Sequence, residues 1–157
     1  MIITVNTDAS FSKKYQIGSY AFWIVSNRFK ILKSGLLKQK IERAEIAEFM
    51  CIINAMHVLS KNDLSDVRKI IINTDCLNVI HLINNDVHEI NRYKLRDFGK
   101  KYVKIFKTTT INFPKIELRH VKAHTSNSDA RSYVNNWCDT EAKKWIKIKI
   151  NEHENCN

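Results

Sequence analysis

Two stretches of the chain run apolar and then end alike. Ile70, Ile71 and Ile72 stand side by side and give way to Asn73-Thr74-Asp75, and Ile2-Ile3-Thr4-Val5 gives way to Asn6-Thr7-Asp8. Consecutive β-branched residues without alternation mark a strand covered on both faces, as in a parallel sheet between helices. Residues 2–8 and 67–74 are therefore predicted as strands, each with an acid at its carboxyl end. Phe11 to Tyr15 reads as a polar turn. Gly18–Val25 and Phe29–Leu37, rich in aromatic and β-branched residues and separated at Asn27-Arg28, predict an antiparallel hairpin. The period then changes. Ile52, Ala55, Met56 and Leu59 recur at helical spacing in a helix predicted over 41–59, which Ser60-Lys61-Asn62-Asp63 breaks. Strand, helix and strand imply a right-handed crossover that lays strand four parallel to a strand of the opening meander. If strand one is the open neighbour, Asp8 and Asp75 stand at the same end of adjacent strands about 4.8 Å apart. Ligands bind such sheets beyond the carboxyl ends of the strands.

The second half is read as a short helix over 77–83, a polar connection over 84–91 and an amphipathic helix over 92–107. In that helix Leu95, Phe98, Tyr102 and Phe106 share a face. A fifth strand over 116–121 follows Pro114, then a Ser/Asn-rich loop over 125–129 and a last helix over 133–148. The polar tail from 151 is expected to be frayed. No repeat or linker interrupts residues 1–150, so a single domain is expected, with 151–157 as its tail.

Composition narrows the function. The 157 residues are 44% hydrophobic and carry a net charge of +10, which favours an anionic partner, nucleic acid before a membrane surface. No apolar run is long enough for a membrane span, and the N-terminus lacks a signal-peptide pattern. A monomeric cytoplasmic protein is expected. Cys51, Cys76, Cys138 and Cys156 form no C-x-x-C pair, which points to reduced thiols rather than zinc.

Paired carboxylates at strand ends repel, and a stable fold keeps them for a cation or for proton sharing. An all-oxygen ligand set suits Mg²⁺, and Mg²⁺ with a polyanion suggests phosphoryl chemistry. The plainer reading is that Asp8 caps a turn and Asp75 caps the helix after it. Further acids are available. Glu48 lies in line with Ile52, Ala55 and Leu59, while Glu45 aligns with Phe49, Ile52 and Met56, so helical geometry leaves both open. Asp139 lies at the start of the last helix, and His124 follows strand five, where it could move protons near a carboxylate cluster.

Thr-Asp-Ala-Ser at 7–10, Ala-Glu-Phe-Met at 47–50, Asn-Thr-Asp-Cys at 73–76, Val-Lys-Ala-His at 121–124 and Asn-Asn-Trp-Cys-Asp at 135–139 together resemble type 1 ribonuclease H. Order and spacing agree across nearly the whole chain. The resemblance implies an α/β, RNase H-like fold. Its mixed five-stranded sheet has the order 3-2-1-4-5, with strands one to three antiparallel, between helices. It also implies an endonuclease that cuts the RNA strand of RNA·DNA hybrids with two Mg²⁺ ions, for which Mn²⁺ substitutes, leaving 5′-phosphate and 3′-hydroxyl ends. The metal ligands fall on Asp8, Glu48, Asp75 and Asp139, with His124 as a further catalytic residue. Ser10, Lys13, Lys14, Lys94, Arg96, Lys100, Lys101, Lys104, Lys122 and Asn135 are candidates for contact with the hybrid. The chain departs from the family pattern at Ala9, at Phe11–Tyr15 where a Gly-rich loop is usual, and at Ala44 and Glu45 where an Asn pair is usual. These departures keep two other readings in view, a nuclease of this fold acting on DNA structures and an inactive nucleic-acid-binding module.

Overall fold

Covered Ile, Val and Phe side chains build a central sheet with helices on both faces. The computed structural model describes residues 1–122 and 130–156, with Arg131 by its backbone alone. The strands are β1 (Ile2–Ser12), β2 (Ile17–Val25), β3 (Lys30–Leu36), β4 (Lys69–Thr74) and β5 (Lys115–His120). Their order is β3-β2-β1-β4-β5. β1 and β2 pair antiparallel, as do β2 and β3, while β1–β4 and β4–β5 are parallel. This is the expected fold class and strand order.

The helices are α1 (Ala44–Leu59), α2 (Leu77–Ile83), α3 (Val87–Arg92), α4 (Arg96–Thr109) and α5 (Ala130–Asn155). α1 packs on the face where Ile3, Val5, Phe22, Ile24, Ile70 and Ile72 meet Phe49, Ile52, Met56 and Leu59 in the main core. α5 covers the other face, where Ala21 and Trp23 meet Cys138 and Ala142. Trp23 takes Trp137 edge-on at 5.5 Å between ring centres. The three consecutive isoleucines of β4 are thus explained by cover on both sides. No helix among the described residues is long and apolar enough to cross a membrane. All four cysteines are free thiols.

Three expectations need correction. β1 does not stop at Asp8. Its residues Ala9–Ser12 pair with Ile17–Tyr20, and the turn is confined to the four residues after Ser12, with Gln16 left-handed at φ 53°. The polar stretch 84–91 is not a plain connection, because it contains α3. α2 ends in a Schellman motif: the Asp86 N–H donates to the His81 carbonyl and the Asn85 N–H to that of Leu82. Asp86 then caps α3 by accepting from the Glu89 N–H at 3.3 Å. A second Schellman turn, with Lys94 left-handed at φ 53°, separates α3 from α4, so the helix predicted from Arg92 starts instead at Arg96. Finally, the tail expected to fray is helix. α5 runs to Asn155, and its end is held by Tyr15, whose hydroxyl donates to Glu154 at 3.1 Å and whose ring stacks on His153.

Candidate active site

The parallel register pairs Asn6 with Asn73, so Asp8 and Asp75 each lie two residues beyond a matched pair. The pair is locked: Asn73 Nδ2 donates to Asn6 Oδ1 at 2.9 Å, and Thr7 Oγ1 to the Asn73 carbonyl at 3.3 Å. α1 starts at Ala44, which places Glu48 in its second turn, above the same sheet edge. Carboxylate oxygens of Asp8, Glu48 and Asp75 lie within 4.8 Å of one another. The Ala9 N–H serves two of them, donating to Asp8 Oδ1 at 2.9 Å and to Glu48 Oε1 at 3.3 Å. Neither aspartate is a helix cap, since β1 continues past Asp8 and the N-cap of α2 is Cys76.

Burial pushes the Asp8 carboxyl up to about 8, helped by the charges of Asp75 and Asp139 and opposed by the Ala9 N–H and Lys143. Burial likewise drives Glu48 well above its ordinary range, with Asp8 and Asp75 adding to it. Glu48 Oε2 is buried and no N–H or hydroxyl donates to it among the described residues; its carboxyl meets that of Asp8, a contact that holds the proton on. A buried acceptor without a donor is costly. Three converging carboxylates and one orphaned oxygen fit a hard divalent cation, which would satisfy that oxygen and offset the repulsion.

The alternative acid, Glu45, is turned to other partners. Arg43 Nη2 donates to its Oε1 at 3.2 Å and Asn78 Nδ2 at 3.5 Å. Burial opposes its ionisation, but its own backbone N–H and these two donors outweigh that and hold it below the ordinary carboxylate range. Glu48, not Glu45, joins the cluster. Asp139 stands at the other side of the cleft, which Asp8, Asp75, Lys122 and Asn135 also line. Its Oδ2 accepts from Lys143 at 2.8 Å.

The family model for RNase H matches residues 2–147. The chain belongs to the RNase H family. Its fold is shared with RNase H1 from the halophilic archaeon Halobacterium salinarum at 13% identity and TM-score 0.67, covering 94% of this chain and 98% of that one. The N-terminal RNase H domain of a Mycobacterium tuberculosis protein superposes with TM-score 0.70 at 12% identity, covering 97% and 98%. RNase H1 isolated from a compost metagenome gives 0.64 at 14%, covering 92% and 97%. No curated protein sequence matches the chain.

The remaining candidates are spread over several parts of this ribonuclease H hydrolase. Ser10 lies half-buried on β1, and Lys13 and Lys14 are exposed in the turn after it. Lys94 follows Tyr93, which lines a cavity with Glu48 and Asp75. Arg96, Lys100 and Lys104 line a separate groove that shares no residue with either opening of the carboxylate site. Lys101 lies over the Tyr102 ring at 5.6 Å. His124 and the 125–129 loop lie outside the described residues. Two neighbours escaped sequence reasoning. Lys143 was one more lysine in a basic helix, and only its i,i+4 spacing from Asp139 pointed to it. His120 Nε2 lies 3.1 Å from the Asp75 backbone carbonyl, a contact signalled only by its place at the end of β5.

Proposed function

We propose that the chain is a divalent-metal-dependent endoribonuclease that hydrolyses the RNA strand of RNA·DNA hybrids, leaving 5′-phosphate and 3′-hydroxyl ends. The observation that carries this reading is the orphaned Glu48 Oε2 beside Asp8 and Asp75 at matched strand ends. Asp8, Glu48, Asp75 and Asp139 would hold two Mg²⁺ or Mn²⁺ ions, which supply Lewis acidity toward the phosphodiester. The chain's own part is positional. The Ala9 N–H fixes Asp8 and Glu48 relative to each other, and the Asn6–Asn73 lock keeps the strand ends in register. Lys143 tempers the charge at Asp139. Lys122 and Asn135 border the cleft where a scissile phosphate would sit, and His124 is proposed as the proton carrier. Ser10, Lys13, Lys14 and Lys94 would meet the flanking duplex, and Arg96, Lys100, Lys101 and Lys104 add to the positive field that draws it in. The protein would act as a cytoplasmic monomer.

A second reading, cleavage of DNA structures, has one observation in its favour. The wall beside the cluster presents Ala44 and a Glu45 ion-paired with Arg43, so it lacks the pair of side-chain amides that the family pattern sets against the hybrid. One experiment separates the two. End-labelled RNA·DNA, RNA·RNA and DNA·DNA duplexes are incubated with the protein and Mg²⁺, with Asp8→Asn as control. Cutting confined to the hybrid's RNA strand and lost in the variant is expected. Equal cutting of DNA would move the assignment to the second reading, because the 2′-hydroxyl is what distinguishes the two strands.

A further inference from the structure

The groove along α4 has a chemistry that duplex binding leaves unexplained. It has a volume of about 500 Å³ and runs between α4 and the α2–α3 corner. Leu82, Val87, Ile90 and Val103 give it an apolar floor, and Val87 is 51% exposed. Arg96, Lys100, Lys104 and Lys107 form its rim, with no carboxylate among the described residues that line it. These four cations fall at i, i+4, i+8 and i+11, one stripe about 16 Å long at 1.5 Å per residue. Like charges at such spacing weaken a helix, so the stripe persists against its own repulsion. A phosphate backbone would meet the cations and leave the apolar floor wet. A single anionic headgroup is too small to span the stripe. A helix with apolar residues on one face and acids beside them matches both features at once.

We propose that this groove docks an acidic amphipathic helix of about three turns from a partner protein, with leucine-like side chains on Val87 and Val103 and carboxylates against the lysine stripe. The site shares no residue with the carboxylate cleft, while Arg96, Lys100 and Lys104 also belong to the positive field proposed to draw in the hybrid, so the hybrid serves as a competitor in the test.

The test uses fluorescence anisotropy with the full chain and three labelled 18-residue peptides. The first carries leucines at i, i+3, i+4 and i+7 among glutamates. The second replaces the leucines with serine, and the third replaces the glutamates with lysine. The first is expected to bind at least tenfold tighter than the others. Val87→Asp should weaken it at least tenfold, and Lys100→Glu/Lys104→Glu should lose it while gaining the lysine peptide. All three positions are exposed, and thermal melts would verify that the variants fold. Failure of the first peptide to bind, equal binding of the serine peptide, insensitivity to Val87→Asp, or competitive displacement by an RNA·DNA hybrid would each overturn the proposal.

Discussion

Removing the charge of Asp8 should make the metal-free protein more stable. The folded-state carboxyl is pushed up to about 8, against 3.8 ordinarily, by burial and by the charges of Asp75 and Asp139. Between those values the folded protein binds a proton that the unfolded chain has released. Asp8's contribution is therefore fully present below about pH 4 and falls away as pH rises toward 8. At pH 7 the difference amounts to about three pH units, or on the order of 4 kcal/mol. Asn is isosteric and keeps an acceptor for the Ala9 N–H, at a loss of about 1 kcal/mol in hydrogen-bond strength. Asp8→Asn should thus gain about 2–3 kcal/mol in EDTA at pH 7, a rise of about 1 M in the urea midpoint. The assay is urea unfolding in EDTA at pH 5, 7 and 8.5. The wild type should lose stability across that range and the variant should lose less. Saturating Mg²⁺ should restore the wild type by about 2.7 kcal/mol at a hundred times its dissociation constant, and help the variant much less. A variant equal to or weaker than wild type at pH 7, or a flat wild-type curve, would refute the claim that the cluster is repulsive without a cation.

Glu48→Gln should reduce hybrid cleavage by at least about 100-fold, since even partners behind a metal ligand are worth 10–100-fold, whereas Glu45→Gln should stay within about tenfold of wild type; initial rates in Mg²⁺ measure both. Gly99→Ala should change stability by less than about 1 kcal/mol: the added Cβ meets a terminal methyl of Leu82, which lines the α4 groove and can turn aside, and the helix-propensity gain of about 1 kcal/mol offsets the remaining overpacking, as a thermal melt would register. Lys13→Gln/Lys14→Gln should weaken hybrid binding regardless of sequence and flatten the dependence of log affinity on log salt by about 2, read from anisotropy titrations in KCl.

The architecture was legible because its main determinants are repetitive. Ile70–Ile72 cannot be a half-exposed strand, and the spacing of Ile52, Ala55 and Leu59 cannot be a strand at all. What escaped reading was local chemistry doing double duty. Asn85 and Asp86 look like loop residues because they are polar, yet here one ends α2 and the other starts α3. Lys94 adopts the left-handed conformation without being glycine, so the break between α3 and α4 carries no glycine signal. The end of α5 looked like a tail because its partners, above all Tyr15, are distant in sequence and polar.

The site divides in the same way. Asp8 and Asp75 could be found because parallel pairing turns matching strand ends into neighbours, a relation visible in one dimension. Glu45 and Glu48 could not be separated by periodicity, since they lie three residues apart on one helix flank and both lead toward the sheet. The difference comes from what surrounds each one. Arg43 and Asn78 hold Glu45 in an ionised, satisfied state, while Glu48 shares the Ala9 N–H with Asp8 and keeps one buried oxygen without a donor. A residue kept unsatisfied in the interior is destabilising unless something binds it, whereas a satisfied one asks for nothing. That asymmetry favours Glu48 over Glu45 as the ligand proposed above and leaves Glu45 in the wall past which a nucleic-acid strand would run.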